Sequence, residues 1–582
     1  MNPFYVRSPE GLSAQDACSL FVDSFSDYPM LLDPSHMFMV GPRGTGKSMM
    51  FRFMLPDCQK IAKNCTLQEL QFFSIYIPFK RQNFNLAELG RLDNAHASVL
   101  INEHLLTSHV ARRFFEQVSG SLSESIVSEA NIIQNLSKCL SLVGGVSLDP
   151  VESISRHLDA LRERWIALFD EAVSYLQSIA FCGPLPYTGK LISYLEHLLP
   201  TISLISELLR EGGIPVFLLL DDAHNLSHTQ TQVLNGWVAS RTTNFVSIKI
   251  SSQPNYKTYY TVTGDRIETP HDYTETRTAE LYTTKFKGRY FSRIVGIIER
   301  RLHKAGLETD PGRFFPPDLE QESEIERRAE ELRELNREGK GRGARPSDDA
   351  SRYSRPDFIR DLAGSRKSSS KYSYAGFEQL VHVSSGITRH FLDCASKMYD
   401  RVLAQEGENI FSIPPSVQDE VVREEADELR FRFFGREMDD EDGHSLPEVD
   451  AQKVCNLIDA LGGLFRLILL SDRSERRVYS IAFSDEPSAN LRTALKRAVS
   501  LGFLHESSIG KKGSRTGGRT KLYVLTRRLA PHWTLDPTGF AGYLFLSARK
   551  LEPALTDPDG FLRKFDLDKL GGDGSVEQLE LF

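Results

Sequence analysis

Residues 36–48 read HMFMVGPRGTGKS, an apolar run that passes straight into a turn of glycines followed by a lysine and a serine. The spacing fits G-x-x-x-x-G-K-[ST], with Gly41, Gly46, Lys47 and Ser48 in the fixed places. Its surroundings fit as well: HMFMV (36–40) has the character of a buried strand, and SMMFRFML continues in an apolar helical pattern. Successive backbone N–H groups can converge on phosphate oxygens only where the chain takes angles and close approaches that glycine allows cheaply. A helix beginning at Lys47 turns its positive end toward the same anion. Lys47 then neutralises the β- and γ-phosphates, and the Ser48 hydroxyl reaches Mg²⁺. The predicted nucleotide cradle is Gly41, Pro42, Arg43, Gly44, Thr45, Gly46, Lys47, Ser48 and Met49.

A phosphate loop needs an acidic partner, and IPVFLLLDDAHNL (214–226) offers one: a continuous apolar strand that ends in two carboxylates. Asp221 is predicted to hold the water shell of Mg²⁺, and Asp222 to polarise the attacking water. Two further strand-like runs are FFSIYIPF (72–79) and FVSIKIS (245–251). Short apolar runs separated by helical patterns are the signature of a parallel sheet with crossover helices. Residues 90–213 are mostly helix-patterned and form a predicted insertion between the second and third strands.

With GPRGTGKS upstream, DDAHNL after an apolar strand resembles the AAA+ ATPases, and among them the origin-recognition (ORC-type) initiators and their bacterial relatives. The resemblance covers residues 15–60, 210–300 and 375–405 well and the rest weakly. It implies a P-loop α/β core of AAA+ type, a helical lid and a C-terminal winged helix. It also implies a polar sensor after the strand at 245–251, where Ser252 falls, and a lid arginine. In VSSGITRHFLDCASKMYD (383–400), Gly386 and Arg389 match the lid pattern of a glycine three residues before an arginine. Arg389 would then meet the γ-phosphate. An arginine finger is implied too, with Arg266 and Arg241 as candidates. The chain departs from the family at Asp222, where glutamate is usual. Its carboxylate is one methylene shorter, so slow or partner-stimulated hydrolysis is expected.

Five segments follow: an ATPase core over 1–300, a charged insertion or linker over 301–374, a lid over 375–435, an acidic linker over 436–450, and a winged-helix domain with tail over 451–582. The text at 318–346 is charge-dense and reads as a solvated helix and a flexible linker. In the last segment a helix precedes two strands joined by a tip that carries Lys511, Lys512, Arg515, Arg519 and Lys521 among glycines. Flexible cations on a hairpin suit duplex-DNA phosphates, and ORC-type initiators also end in a DNA-gripping winged helix. A protein-binding winged helix is the alternative.

Composition narrows the field. The 582 residues, 40% hydrophobic and 25% charged, suit a globular chain of several domains. A net charge of −8 leaves nucleic-acid contact to a local patch. Seven scattered cysteines suit free thiols in a reducing compartment. No run approaches the ~18 apolar residues of a membrane span, and residues 1–17 lack a signal-peptide layout, so a cytoplasmic protein without membrane contact is expected. The resulting expectation is an ATP- and Mg²⁺-dependent switch, homo-oligomeric or completed by a partner. The resemblance to ORC-like ATPases implies, as a setting, a bacterial phage-defence or mobile-element system, with a separate protein as effector.

Overall fold

Parallel strands buried on both faces need helices to carry the chain back between them, and this alternation shapes the first part of the protein. The computed structural model describes residues 2–22, 28–79, 87–92, 95–122, 129–146, 148–149, 152–182, 186–210, 212–240, 245–254, 256–278, 288–343, 345–364, 371–407, 410–431, 448–510, 519–538, 542–565 and 576–577. The chain divides into two units, Arg7–Ala279 and Glu280–Phe582, the second including Met1–Val6.

In the first unit β1 (Met37–Val40), β2 (Phe73–Pro78), β3 (Val216–Asp221), β4 (Val246–Ser252) and β5 (Thr274–Arg277) form one sheet in the order β2-β3-β4-β1-β5. Every neighbouring pair is parallel. Period-two alternation sorts the side chains between two faces. Phe38, Ile75, Ile77, Leu218, Leu220 and Ile248 enter one core, whereas Met37, Met39, Phe217 and Leu219 enter another with Met50, Phe51 and Met54. β5 was not foreseen. Its sequence, TETR, has no apolar run because it is an edge strand hydrogen-bonded to β1, with only Thr276 of its four residues buried.

Helix α1 (Lys47–Met54) follows β1, and the segment between β2 and β3 carries α2 (Ala95–Leu122), α3 (Glu129–Leu142), α4 (Ile154–Cys182) and α5 (Leu199–Leu209). The segment is helical, and its helices share the core of the sheet. Phe114 of α2, Leu136 of α3, Trp165 of α4 and Ile205 of α5 share one hydrophobic cluster with the strands. Gln117 of α2 also serves the edge strand β2. Its amide donates to Tyr76 O at 2.9 Å, and its oxygen accepts from Tyr76 N at 3.0 Å. A side-chain amide thus does for β2 what another strand would.

In the second unit α6 (Leu319–Arg337) and α7 (Pro346–Gly364) occupy the charge-dense stretch. Ile325 and Ala329 are buried, and ion pairs Arg355–Glu322 (2.7 Å) and Arg328–Asp361 (2.5 Å) join the two helices. Much of the expected linker is thus packed helix, because one face of a polar helix can be buried by its partner while charges pair along the rest. Helices α8 (Phe377–Val383), α9 (Thr388–Glu406) and α10 (Pro415–Phe431) follow.

A single helix α11 (Glu448–Leu470) then spans both AQKVCNLIDALG and LFRLILL. It leads into β6 (Val478–Phe483), α12 (Ala489–Ser500) and the antiparallel pair β7 (Leu504–Gly510) and β8 (Arg519–Leu525). β9 (Gly542–Leu546) and β10 (Val576–Glu577) complete a second sheet, β10-β9-β6-β8-β7. Among the described residues no helix is long and apolar enough to cross a membrane.

Trp165 is fully buried in the shared cluster. Trp165→Ala should lower the stability of the first unit by roughly 3–5 kcal/mol in equilibrium urea unfolding. An unchanged unfolding midpoint would mean that the insertion does not share the core of the sheet.

Candidate functional site

The registers of the sheet decide where the chemistry gathers. Val40 lies beside Ser252 across β1 and β4, and β3 ends at Asp221 beside Pro78 of β2. The phosphate loop, the acidic pair and the end of β4 therefore emerge at one edge, the carboxyl edge where open α/β sheets bind ligands.

The loop is built by local necessity. Gly44 (φ 86°) and Gly46 (φ 98°) hold left-handed backbone, and Gly46 caps α1. At Gly41 the constraint is space, since a Cβ there would lie 2.1 Å from Thr278 Oγ1. Thr278 also meets Thr45 Oγ1 at 2.8 Å, and Gly41 N donates to Ser252 O at 3.0 Å. Lys47 folds back over the loop, its ammonium donating to Gly41 O at 2.7 Å and Pro42 O at 2.9 Å. Arg43 is exposed, while Ser48 and Met49 are half-buried at the start of α1.

Burial pulls the Lys47 ammonium down from its ordinary 10.5 to about 8. Asp221 and then Asp222 oppose the shift, and Arg43 adds to it. The lysine therefore lies within electrostatic reach of both acids. Asp221 is buried and held from several sides: its Oδ1 accepts from the Ser251 hydroxyl and from Asp222 N (3.1 Å), its Oδ2 from Tyr76 OH (2.9 Å). Asp222 turns away in the left-handed region at φ 60°, its side chain 46% exposed. Burial, then Asp221, pushes its carboxyl up, against the pull of Lys47 and Arg43. The donor set fits a hard cation: a serine hydroxyl at the helix start and a carboxylate at the strand end are oxygen ligands of the kind Mg²⁺ takes.

Ser252 is buried at the end of β4, and its hydroxyl donates to Gln253 O at 2.9 Å. The hydroxyl on Asp221 belongs to Ser251, because neighbouring strand residues point to opposite faces. Next to it Gln253 Nε2 meets His224 Nε2 at 2.7 Å. Tyr76, Ser251, His224, Gln253 and Thr278 were not singled out in sequence. The available signal was a polar residue interrupting or closing an apolar run, as in FFSIYIPF and FVSIKISSQ.

Arg266 is exposed in a loop of this unit closed by an isolated bridge to Tyr260. Arg241 lies outside the described residues. In the second unit Arg389 is exposed in the first turn of α9. The turn before it is left-handed at Ser385 (φ 55°) and Gly386 (φ 76°). Ser385 Oγ accepts from Arg527 N at 2.6 Å and from Thr526 Oγ1 at 3.2 Å, which ties this turn to the exit of β8. Of the hairpin cations, Arg519 and Lys521 are exposed on β8, with Lys521 paired to Glu506 at 2.5 Å. Lys511, Lys512 and Arg515 lie outside the described residues.

A parallel sheet with a glycine phosphate loop after its first strand and an acidic pair after its third defines a P-loop NTPase core of AAA+ type. The ORC-CDC6-like family profile matches residues 2–340 and 325–546, and the chain belongs to that family of AAA+ ATPases. Among solved structures, Cdc6p from Pyrobaculum aerophilum matches at 13% identity over 96% of this chain and 97% of that one, with a TM-score of 0.25. That superposition is too loose to carry positions across. No curated protein matches the chain.

The buried ammonium gives a linkage prediction. Between about pH 8 and 10.5 the unfolded chain keeps a proton at Lys47 that the folded chain has released. The unfolded state binds more protons there, so the stability of the nucleotide-free protein gains with rising pH across that window. The gain is on the order of 3 kcal/mol when complete. Urea unfolding in EDTA at successive pH values should show this gain in the wild type and its loss in Lys47→Met. Parallel curves would contradict the placement of the ammonium.

Proposed function

We propose that this protein is an ATP-binding and ATP-hydrolysing switch that associates with duplex DNA through its C-terminal helix and hairpin. The observation that carries the reading is the Lys47 ammonium, buried on the phosphate loop within reach of Asp221 and Asp222 at one sheet edge. In this reading Gly41–Met49 wrap the triphosphate, and Lys47 leaves the Gly41 and Pro42 carbonyls for phosphate oxygens. Ser48 and Asp221 hold Mg²⁺, which supplies neutralisation of the β- and γ-phosphate charge. Asp222 polarises the water, and Ser252 serves as the sensor at the end of β4. Arg389 is assigned to the γ-phosphate from the lid. Exposed Arg266 is assigned as the finger offered to a neighbouring copy, so that assembly and nucleotide state are coupled.

We read α12 with β7 and β8 as a winged helix. Arg492 and Lys496 are exposed on α12, as are Arg519 and Lys521 on β8, which supports phosphate contact. The basic tip at 511–518 extends the same charge in sequence. In a bacterial defence or mobile-element setting, a separate protein would supply the effector chemistry.

The deciding experiment measures ATPase activity with and without duplex DNA, together with molecular mass in each nucleotide state. DNA stimulation with a steep salt dependence is expected. Stimulation by a protein instead of DNA would favour a signalling NTPase, and tight binding without turnover an adaptor. Lys47→Ala should abolish ATP binding with the fold intact. Asp222→Asn should keep ATP bound and lose turnover by roughly a hundredfold or more, since asparagine tolerates the left-handed backbone. Unchanged turnover would remove Asp222 from the mechanism. Neutralising Lys511, Lys512, Arg515, Arg519 and Lys521 should weaken DNA binding and flatten its salt dependence without touching basal ATPase activity.

A further inference from the structure

Tyr76 lies on the edge strand β2, and its ring packs with the core that contains Phe217 and Leu219. Its hydroxyl stands 2.9 Å from Asp221 Oδ2 and 2.9 Å from Glu10 Oε1. A phenol has one proton to donate, so two carboxylates compete for one hydrogen bond. At neutral pH a phenol keeps its proton, so the hydroxyl can serve one carboxylate at a time. Asp221 is already held at Oδ1 by Ser251, which leaves Tyr76 to set the direction of Oδ2.

Glu10 belongs to a short turn, Pro9–Gly11, that is gripped a second time from the phosphate-loop helix. Arg52 of α1 donates to Leu12 O through Nη2 at 3.0 Å and Nε at 3.3 Å. Leu12 itself packs in a cluster with Met49 and Phe53 of α1. Residues 9–12 therefore touch both halves of the site, the acid through Tyr76 and the phosphate-loop helix through Arg52.

We propose that Tyr76 is a positioning residue that orients Asp221 for the cation and, through the same hydroxyl, couples cation binding to the seating of residues 9–12. A cation drawing on Asp221 frees the hydroxyl to donate to Glu10. Without one, Asp221 competes for it and the hold on Glu10 weakens. The inference rests on the nucleotide-site reading above.

Two measurements test it: the Mg²⁺ concentration for half-maximal binding of a fluorescent ATP analogue, and backbone hydrogen exchange over residues 9–12 with nucleotide, with and without Mg²⁺. In the wild type, Mg²⁺ should slow exchange in that segment. Tyr76→Phe keeps the ring and loses the hydroxyl. It should raise the Mg²⁺ requirement roughly tenfold and abolish the exchange response, while Mg²⁺-free nucleotide binding stays level. Glu10→Gln replaces the second carboxylate on the Tyr76 hydroxyl with a neutral amide. Because the coupling is reciprocal, it should raise the Mg²⁺ requirement by less than Tyr76→Phe does and shrink the exchange response. Wild-type behaviour in Tyr76→Phe overturns the positioning role, and a wild-type exchange response in Glu10→Gln overturns the coupling. Absence of nucleotide binding by the wild type would instead overturn the site itself, an outcome visible before any variant is made.

Discussion

The ammonium of Lys47 is buried against two carbonyl oxygens, at an edge where the nearest opposite charges are acids on another strand. That one placement explains much of the first unit. Glycine at 41, 44 and 46 lets the loop curl tightly enough to put the Gly41 and Pro42 carbonyls under the amine. The parallel registers bring the end of β3 to the same edge, so the lysine's burial is partly offset by Asp221 and Asp222. A site assembled this way holds separated charges in a low-dielectric setting, where an anion and a cation arriving together would be stabilised far more than in water.

Around that charge pair the fold supplies fixed geometry. Asp221 cannot swing freely, because Ser251, Asp222 N and Tyr76 occupy both of its oxygens. Thr278, at the exit of the polar edge strand β5, fills the space that a side chain at 41 would need. The insertion contributes as well: α2 packs across the sheet and satisfies the main chain of Tyr76 itself through Gln117. The edge strand that presents Tyr76 to Asp221 is therefore held from its open side by α2.

In the second unit the same economy appears at Ser385. A non-glycine residue in the left-handed region costs energy unless its surroundings enforce it. Here the hydroxyl accepts from Arg527 N and from Thr526, so the turn before Arg389 and the exit of β8 form one hydrogen-bonded piece. The charged stretch at 319–337 shows how misleading polarity alone can be. Ile325 and Ala329 are nonetheless buried, and ion pairs such as Arg355–Glu322 tie the helix to α7.

By itself the sequence determined the phosphate loop, the acidic strand end, the four apolar strands and the helical nature of 90–213. Each is a local pattern, set by glycine geometry, strand burial or helical periodicity within a few residues. The tertiary structure alone decided what meets across the chain. It paired a polar edge strand with β1, drew the insertion into the core of the sheet, and chose Ser251 as the hydroxyl on Asp221. It also brought Glu10 and Tyr76 to that same acid. Such contacts depend on strand register and on which face a side chain takes, and a one-residue change of register reverses them without altering the local pattern.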